Sequence, residues 1–262
     1  MSRLLRRLAL YVFARVNPGD IHIRHHYTGE RIRLHSFRHK GYWYHGRNRE
    51  RDVMAAFAQL VRPGDRVLEA GGHIGYVTLY LAQLAGPAGA VAVFEPGSNN
   101  LPYLRANVTG RPNVTVHPAA LGREPGELEL HLEDLTGQNN SLIPDFHVLR
   151  ANQRNAVRAT VRTQRVPVTT IDEHVAGTGA APDFIKLDIE GFEREALLGA
   201  AGTLERHHPR IMVEVQTHHR EITGMLHGLG YRLYRANGDP TAEITRDREN
   251  IFALPTGMPW PR

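Results

Sequence analysis

A chain of 262 residues with 41% hydrophobic and 23% charged side chains can bury a substantial core and is too apolar to stay disordered. The absence of cysteine excludes a disulfide framework, a thiolate zinc site and a cysteine nucleophile. A net charge of +5 admits nucleic acid or an anionic surface as partner without selecting either.

Met1 to Val16 carries Arg3, Arg6, Arg7 and Arg15 around an apolar run from Leu8 to Ala14. That run is too short to span a bilayer, and no small-residue cleavage site follows, so neither a membrane anchor nor a signal peptide is predicted. The spacing suits a helix packed on the domain, with a basic helix lying peripherally on an anionic membrane as the alternative. Asp20–Tyr27 and Arg31–Phe37 alternate apolar and polar residues about Thr28-Gly29-Glu30 and predict a β-hairpin. His39–Glu50 is rich in aromatic and basic groups and reads as a substrate-facing lid or as a packed lead-in segment.

Asp65 to Ala82, DRVLEAGGHIGYVTLYLA, is a short apolar strand broken by Gly71, Gly72 and Gly75 and followed by helical spacing from Tyr76. Such a turn lets backbone approach a ligand and aims helix amides at it. The order E-x-G-x-x-x-G starting at Glu69 is not the dinucleotide fingerprint G-x-G-x-x-G, which would need glycine at position 70, where alanine stands. An acid inside the turn suits a positively charged ligand, and S-adenosylmethionine carries a sulfonium and an ammonium. This spacing resembles motif I of class I methyltransferases. The next apolar run, Ala90–Phe94, ends in Glu95-Pro96, an acid placed to accept hydrogen bonds from ribose hydroxyls. His73 and Tyr76 join Glu69, Gly71, Gly72, Gly75, Glu95 and Pro96 as the candidate cofactor-binding set.

Further along, Asn99–Val108 predicts a helix, Val114–Pro118 and Glu127–His131 predict strands, and Thr136–Ile143 is a polar loop, on the substrate rim or merely solvated. Arg150–Arg165 is basic and weakly patterned. Phe184–Ile189 reads as a central strand that delivers Asp188 and Glu190 to the carboxyl ends of the strands, where an open parallel sheet forms its ligand crevice. Glu193–Leu198 continues as a helix, with Gly199 and Gly202 near its stop. Arg210–Val215 delivers Glu214 to the same edge, with His218 just beyond. Asp188, Glu190, Glu214 and His218 are therefore the candidate catalytic residues. His218 would be a general base by its ordinary value near neutrality, while Asp188 and Glu214 could instead hold a magnesium ion that acidifies a hydroxyl. Tyr231–Ala236 and Asn250–Leu254 predict a closing antiparallel pair, which a nicotinamide-binding sheet lacks.

Taken in order, VLEAGGHIGYVTLYLA, VFEP, Asn107 within RANV, DFIKLDIEGFEREALLGA and IMVEV resemble the landmarks of FkbM-type methyltransferases from about Val61 to Leu254. The resemblance implies an α/β, Rossmann-like class I methyltransferase sheet, mostly parallel with an antiparallel C-terminal strand; the N-terminal helix and hairpin read from the residues precede it, and Met1 to Asn17 lies outside the resemblance. Residues 1–50 would be that extension and 51–262 the methyltransferase domain. It further implies S-adenosylmethionine as donor and O-methylation of a sugar, glycan or natural-product hydroxyl; a cytoplasmic location, with membrane contact through the basic N-terminal segment as the alternative, is expected from the chain's own residues. One departure stands out: Glu69 occupies a motif I position more often held by aspartate. Nucleic-acid methylation and nicotinamide-dependent oxidoreduction are the rival functions. Absence of an N/D-P-P-Y/F motif counts against amino-group methylation of nucleic acid, and absence of cysteine against cytosine C5 methylation.

Overall fold

Alternation at the start of the chain becomes a two-stranded ribbon: β1 (Asp20–Arg24) pairs antiparallel with β2 (Arg31–His35), Asp20 opposite His35 and Arg24 opposite Arg31. The computed structural model describes residues 11–12, 16, 18–133, 138–143 and 161–261; the basic N-terminal segment, apart from Tyr11, Val12 and Val16, lies outside them. After β2 come α1 (Lys40–His45), a 3-10 turn at Gly46–Asn48 and α2 (Arg51–Leu60). β3 (Arg66–Ala70), α3 (Tyr76–Ala85), β4 (Ala90–Phe94), α4 (Leu101–Val108) and β5 (Val114–His117) then follow in strand-helix alternation. A side sheet interrupts this rhythm, built from β6 (Ala120–Leu121), β7 (Gly126–Glu133) and β8 (Val161–Thr169) in the order β6-β8-β7.

The second half resumes with α5 (Ile171–Thr178), β9 (Phe184–Leu187), α6 (Glu193–Leu198), α7 (Ala201–His207) and β10 (Arg210–Val215). It closes with α8 (His219–Gly228), β11 (Tyr231–Arg235), β12 (Pro240–Thr241) and β13 (Glu249–Pro255). The main sheet runs β12-β11-β13-β10-β9-β3-β4-β5. From β10 to β5 all neighbours are parallel, and β13 lies antiparallel between β10 and β11. This is the expected α/β architecture, with the antiparallel C-terminal strand and the N-terminal hairpin both in place.

Helices cover both faces of the sheet, which is why the inner parallel strands are apolar on both sides. Val67, Val91, Val93, Phe184 and Phe252 pack on one face with Phe57, Leu60 and Leu79, while Leu68, Phe94, Ile185, Leu187 and Val213 pack on the other with Leu197 and Leu204. The hairpin belongs to the first core through Ile32 and Leu34, as does α1 through Tyr42 and Trp43. Asn107 fastens it there: its amide donates to the Ile74 and Arg33 carbonyls and its oxygen accepts from the Arg33 amide. Thr170 caps α5 in a reciprocal box with Glu173, satisfying amides the helix start would otherwise leave unpaired. Two local readings change. Gly202 lies inside α7 rather than at the stop of α6, and Val161–Arg165, which carried little pattern, is the first half of β8.

Candidate active site

β3 sits between β4, which follows it, and β9, which arrives from the second half of the chain, so the strand order reverses there. Such a switch point opens a crevice at the carboxyl ends of the strands. A cavity of about 310 Å³ occupies it, within the range of small-ligand pockets. Its floor is Gly71, Gly72 and His73 after β3, Glu95 and Pro96 after β4, Asp188 and Glu190 after β9, and Glu214 near the end of β10. Tyr42, Arg49 and Glu50 cover it from the N-terminal extension, so His39–Glu50 is both packed, through Tyr42 and Trp43, and a cover over the cleft. Asn139, Asn140 and Leu142 supply a further wall, which places the polar loop on the rim of the site.

Glu95 is the most fully engaged of these acids. It accepts the His73 amide at 2.8 Å, the Gly97 amide at 2.8 Å and the Asn100 side-chain amide at 3.3 Å. Burial pushes it up to about 7 against those hydrogen bonds. On the other side of the cleft, Asp188, Glu190 and Glu214 present carboxylate oxygens within 4.8 Å of one another. Gln216 ties two of them together, donating to Glu214 at 2.7 Å and to Glu190 at 2.9 Å. Burial first, and then the neighbouring carboxylates, Asp188 foremost, push Glu190 up to about 8 and Glu214 up to about 9. Glu193, buried beneath, is pushed up to about 7 by burial although the Ile189 and Gly191 amides donate to it.

Several expected site residues sit elsewhere. Glu69 is wholly buried and does not line the cleft. β3 and β9 run in a register that sets Glu69 beside Lys186, whose ammonium lies 3.5 Å from the Glu69 carboxylate and 3.5 Å from Asp188. Lys186 also donates to the Gly71 carbonyl at 3.1 Å and the Ala70 carbonyl at 3.4 Å. Burial pulls this lysine down, but Asp188 and Glu69 outweigh it and hold it above its ordinary value; burial conversely raises Glu69, with Lys186 opposing. The acid of the turn therefore faces protein charge, and the longer glutamate arm is spent reaching Lys186. His218 also lies away from the cleft: it stands before α8 with φ of +55°, pairs with Glu221 and lines a separate surface depression. The backbone turn carries its side chain outward, so it is not positioned as a base. Tyr76 turns toward the hairpin, its hydroxyl 2.9 Å from His26.

The glycines also act differently from expectation. A Cβ at Gly71, where φ is +82°, would lie 1.9 Å from the Asp188 carbonyl oxygen, and one at Gly72 would lie 2.4 Å from Val93. At Gly75 the nearest neighbour is Leu104 of α4, at 3.0 Å. Bare backbone is required at Gly71 and Gly72 by neighbouring protein, so Gly71→Val would displace the Asp188 backbone just past β9 and is no selective probe of ligand binding. Lys186 and Arg248 line the cleft outside the candidate set, and Tyr42 and Arg49 reach it from the His39–Glu50 segment without having been singled out. A lysine set between apolar strand residues, as in FIKLD, was the available signal.

The buried acids make stability depend on pH. Below the ordinary glutamate value of 4.5 both folded and unfolded chains hold these protons; above it the unfolded chain releases them while Glu95, Glu190 and Glu193 keep theirs to about 7, 8 and 7. Their contribution is thus fully present below about 4.5 and is lost as pH rises through about 7 to 8, at roughly 1.4 kcal/mol per unit for each group. Urea midpoints measured from pH 5 to pH 8.5 should fall by an amount on the order of several kcal/mol in stability. A midpoint that rises over that interval contradicts the protonated cluster.

A sequence model of the Methyltransferase FkbM domain matches residues 69–233. Among solved structures, methyltransferase FkbM from Methylobacillus flagellatus KT is 17% identical, with a TM-score of 0.46, over 81% of this chain and 60% of its own. The chain thus spans about three fifths of that protein's length. Aeropyrum pernix fibrillarin, solved with natively bound S-adenosyl-L-methionine, is 15% identical over 90% of this chain and 82% of its own, with a TM-score of 0.44. Precorrin-6y C5,15-methyltransferase from Geobacter metallireducens GS-15 is 14% identical over 78% of this chain and 87% of its own, with a TM-score of 0.42.

Proposed function

Since this chain belongs to the FkbM family of S-adenosylmethionine-dependent methyltransferases, we propose that it methylates a hydroxyl oxygen of a sugar, glycan or glycosylated natural product. The observation that carries the reading is the chemistry of the cleft, whose carboxylates come from three strand ends, Glu95 after β4, Asp188 and Glu190 after β9 and Glu214 in β10. Those groups suit the proposed donor. Glu95 keeps acceptor capacity for ribose hydroxyls, Ala119, Leu121 and Leu142 offer an apolar wall for a base, and Asp188 with its neighbours favours a cationic end. Bound there, S-adenosylmethionine supplies an electrophilic methyl group on a sulfonium.

The chain's own residues do the rest. Tyr42 and Arg49 cover the cleft and exclude water, and the rigid turn held by Lys186 fixes the donor's floor. Glu190 and Glu214, tied by Gln216, take the acceptor's hydroxyl proton, replacing His218 in that role. A second arrangement rests on the same three acids: a magnesium ion held by Asp188, Glu190 and Glu214 would acidify the hydroxyl instead.

Calorimetry with S-adenosylmethionine, followed by transfer of labelled methyl to neutral saccharides and hydroxylated metabolites, tests the reading. The expected result is cofactor binding and label on an oxygen. Label appearing only on RNA or on amines, with every hydroxyl acceptor inert, overturns it. Full activity after thorough chelation removes the magnesium arrangement and leaves the proton to the carboxylates. Among the described residues no helix is long and apolar enough to cross a membrane; peripheral contact through Arg3, Arg6, Arg7 and Arg15 stays part of the proposal and lies outside those residues.

A further inference from the structure

The active-site cleft does not end at its own rim. Glu50 and Arg248 line both it and a larger depression of about 690 Å³ bounded by the start of α2 and the turns flanking β11 and β13. Both shared residues are non-glycines in left-handed backbone, with φ of +52° and +58°. Holding two bulky side chains in that conformation at one junction costs free energy, and such strain is retained where a site needs it.

From this continuity, and resting on the hydroxyl-methylation reading above, we infer that the outer depression is the distal subsite for an extended, electrically neutral oligosaccharide acceptor. Its inner unit lies against Glu190 and Glu214. The lining decides the ligand class. Arg51, Arg235, Arg246 and Arg248 face four carboxylates, among them Asp52 and Glu249, and asparagine amides fill the gaps. Charge is balanced and interleaved, as in the 3.0 Å pair between Arg235 and Glu249. A polyanion such as RNA would meet as many carboxylates as guanidiniums. An apolar ligand would find only Val53 and Ala236. A sugar hydroxyl donates and accepts at once, so it can use both halves of such a surface. Its hydrogen bonds to charged groups are the stronger kind.

The test uses the full chain saturated with S-adenosylhomocysteine on an array of neutral oligosaccharides of one to six units, uronic-acid oligosaccharides and short RNA. Retention should rise about tenfold or more from single sugars to chains of three or four units, and Arg51→Ala and Arg235→Ala should each remove about tenfold of it while leaving cofactor affinity intact. Arg51 is solvent-exposed and serves if Arg235→Ala, which breaks the pair with Glu249, fails to fold. Retention independent of length, wild-type retention by both variants, no retained glycan, or binding of RNA alone with steep salt dependence overturns the subsite. The two readings fail separately. Chains that bind but receive no methyl leave the subsite standing and remove the reaction; methylation indifferent to chain length does the reverse.

Discussion

Glu214→Gln should lower methyl transfer by about 10²- to 10⁴-fold, the range a positioned proton acceptor contributes, while S-adenosylmethionine affinity changes far less. The substitution keeps the shape of the side chain, and its carbonyl still accepts from Gln216, so the strand end should remain intact. What it removes is a carboxylate that burial and the Asp188 charge push up to about 9. In the wild type the rate should climb with pH across roughly 7 to 9, as the cluster around Glu190 and Glu214 gives up protons, and the variant should lose part of that climb. A variant within tenfold of wild type, with the same pH profile, removes Glu214 from the proton path. Activity and stability then move oppositely with pH, because the ionised form that accepts a proton is the form burial penalises.

Lys186→Met should be the most destabilising change in the molecule outside the apolar core, at about 3–5 kcal/mol in urea unfolding. The methionine fills most of the space but leaves the wholly buried Glu69 carboxylate without its cation. It also frees the Ala70 and Gly71 carbonyls that the ammonium gathers. Adding Glu69→Gln to Lys186→Met removes the stranded charge and should recover a large part of the loss. The size of that recovery, read from a double-mutant cycle, is the coupling across the two strands. A single-variant loss under about 1 kcal/mol would mean that Glu69 is already neutral in the folded chain.

The parallel core was readable because its strands are apolar on both faces. AVAVF reads as strand from its unbroken apolar run, IMV does so within RIMVEV, and Phe184–Ile189 reads as strand from apolar residues set around Lys186 and Asp188. The hairpin was readable for the opposite reason, a clean period of two. β8 was not, since VRTQRVPVT carries two arginines and a proline. It is tolerated because β6 covers only Val168 and Thr169, leaving Pro167 just outside that stretch. In the site, Glu95, Asp188, Glu190 and Glu214 follow from strand ends, where backbone direction alone sets position. Glu69 and His218 do not, because their roles depend on cross-strand register and on the left-handed turn at residue 218. Neither of these leaves a mark in local composition. Arg49 and Arg248 come from segments remote in sequence and meet only through tertiary folding.

β13 enters the sheet between β10 and β11 instead of extending its edge, with Ile251, Phe252, Ala253 and Leu254 all sealed inside. During synthesis the ribosome delivers this strand after every other member of the sheet. Until it arrives, β10 and β11 each hold a row of unanswered amides and carbonyls beside bare apolar surface. A nascent chain paused before Asn250 is therefore a half-zipped sheet exposed along an inner seam, the state in which chaperones and neighbouring chains compete for it.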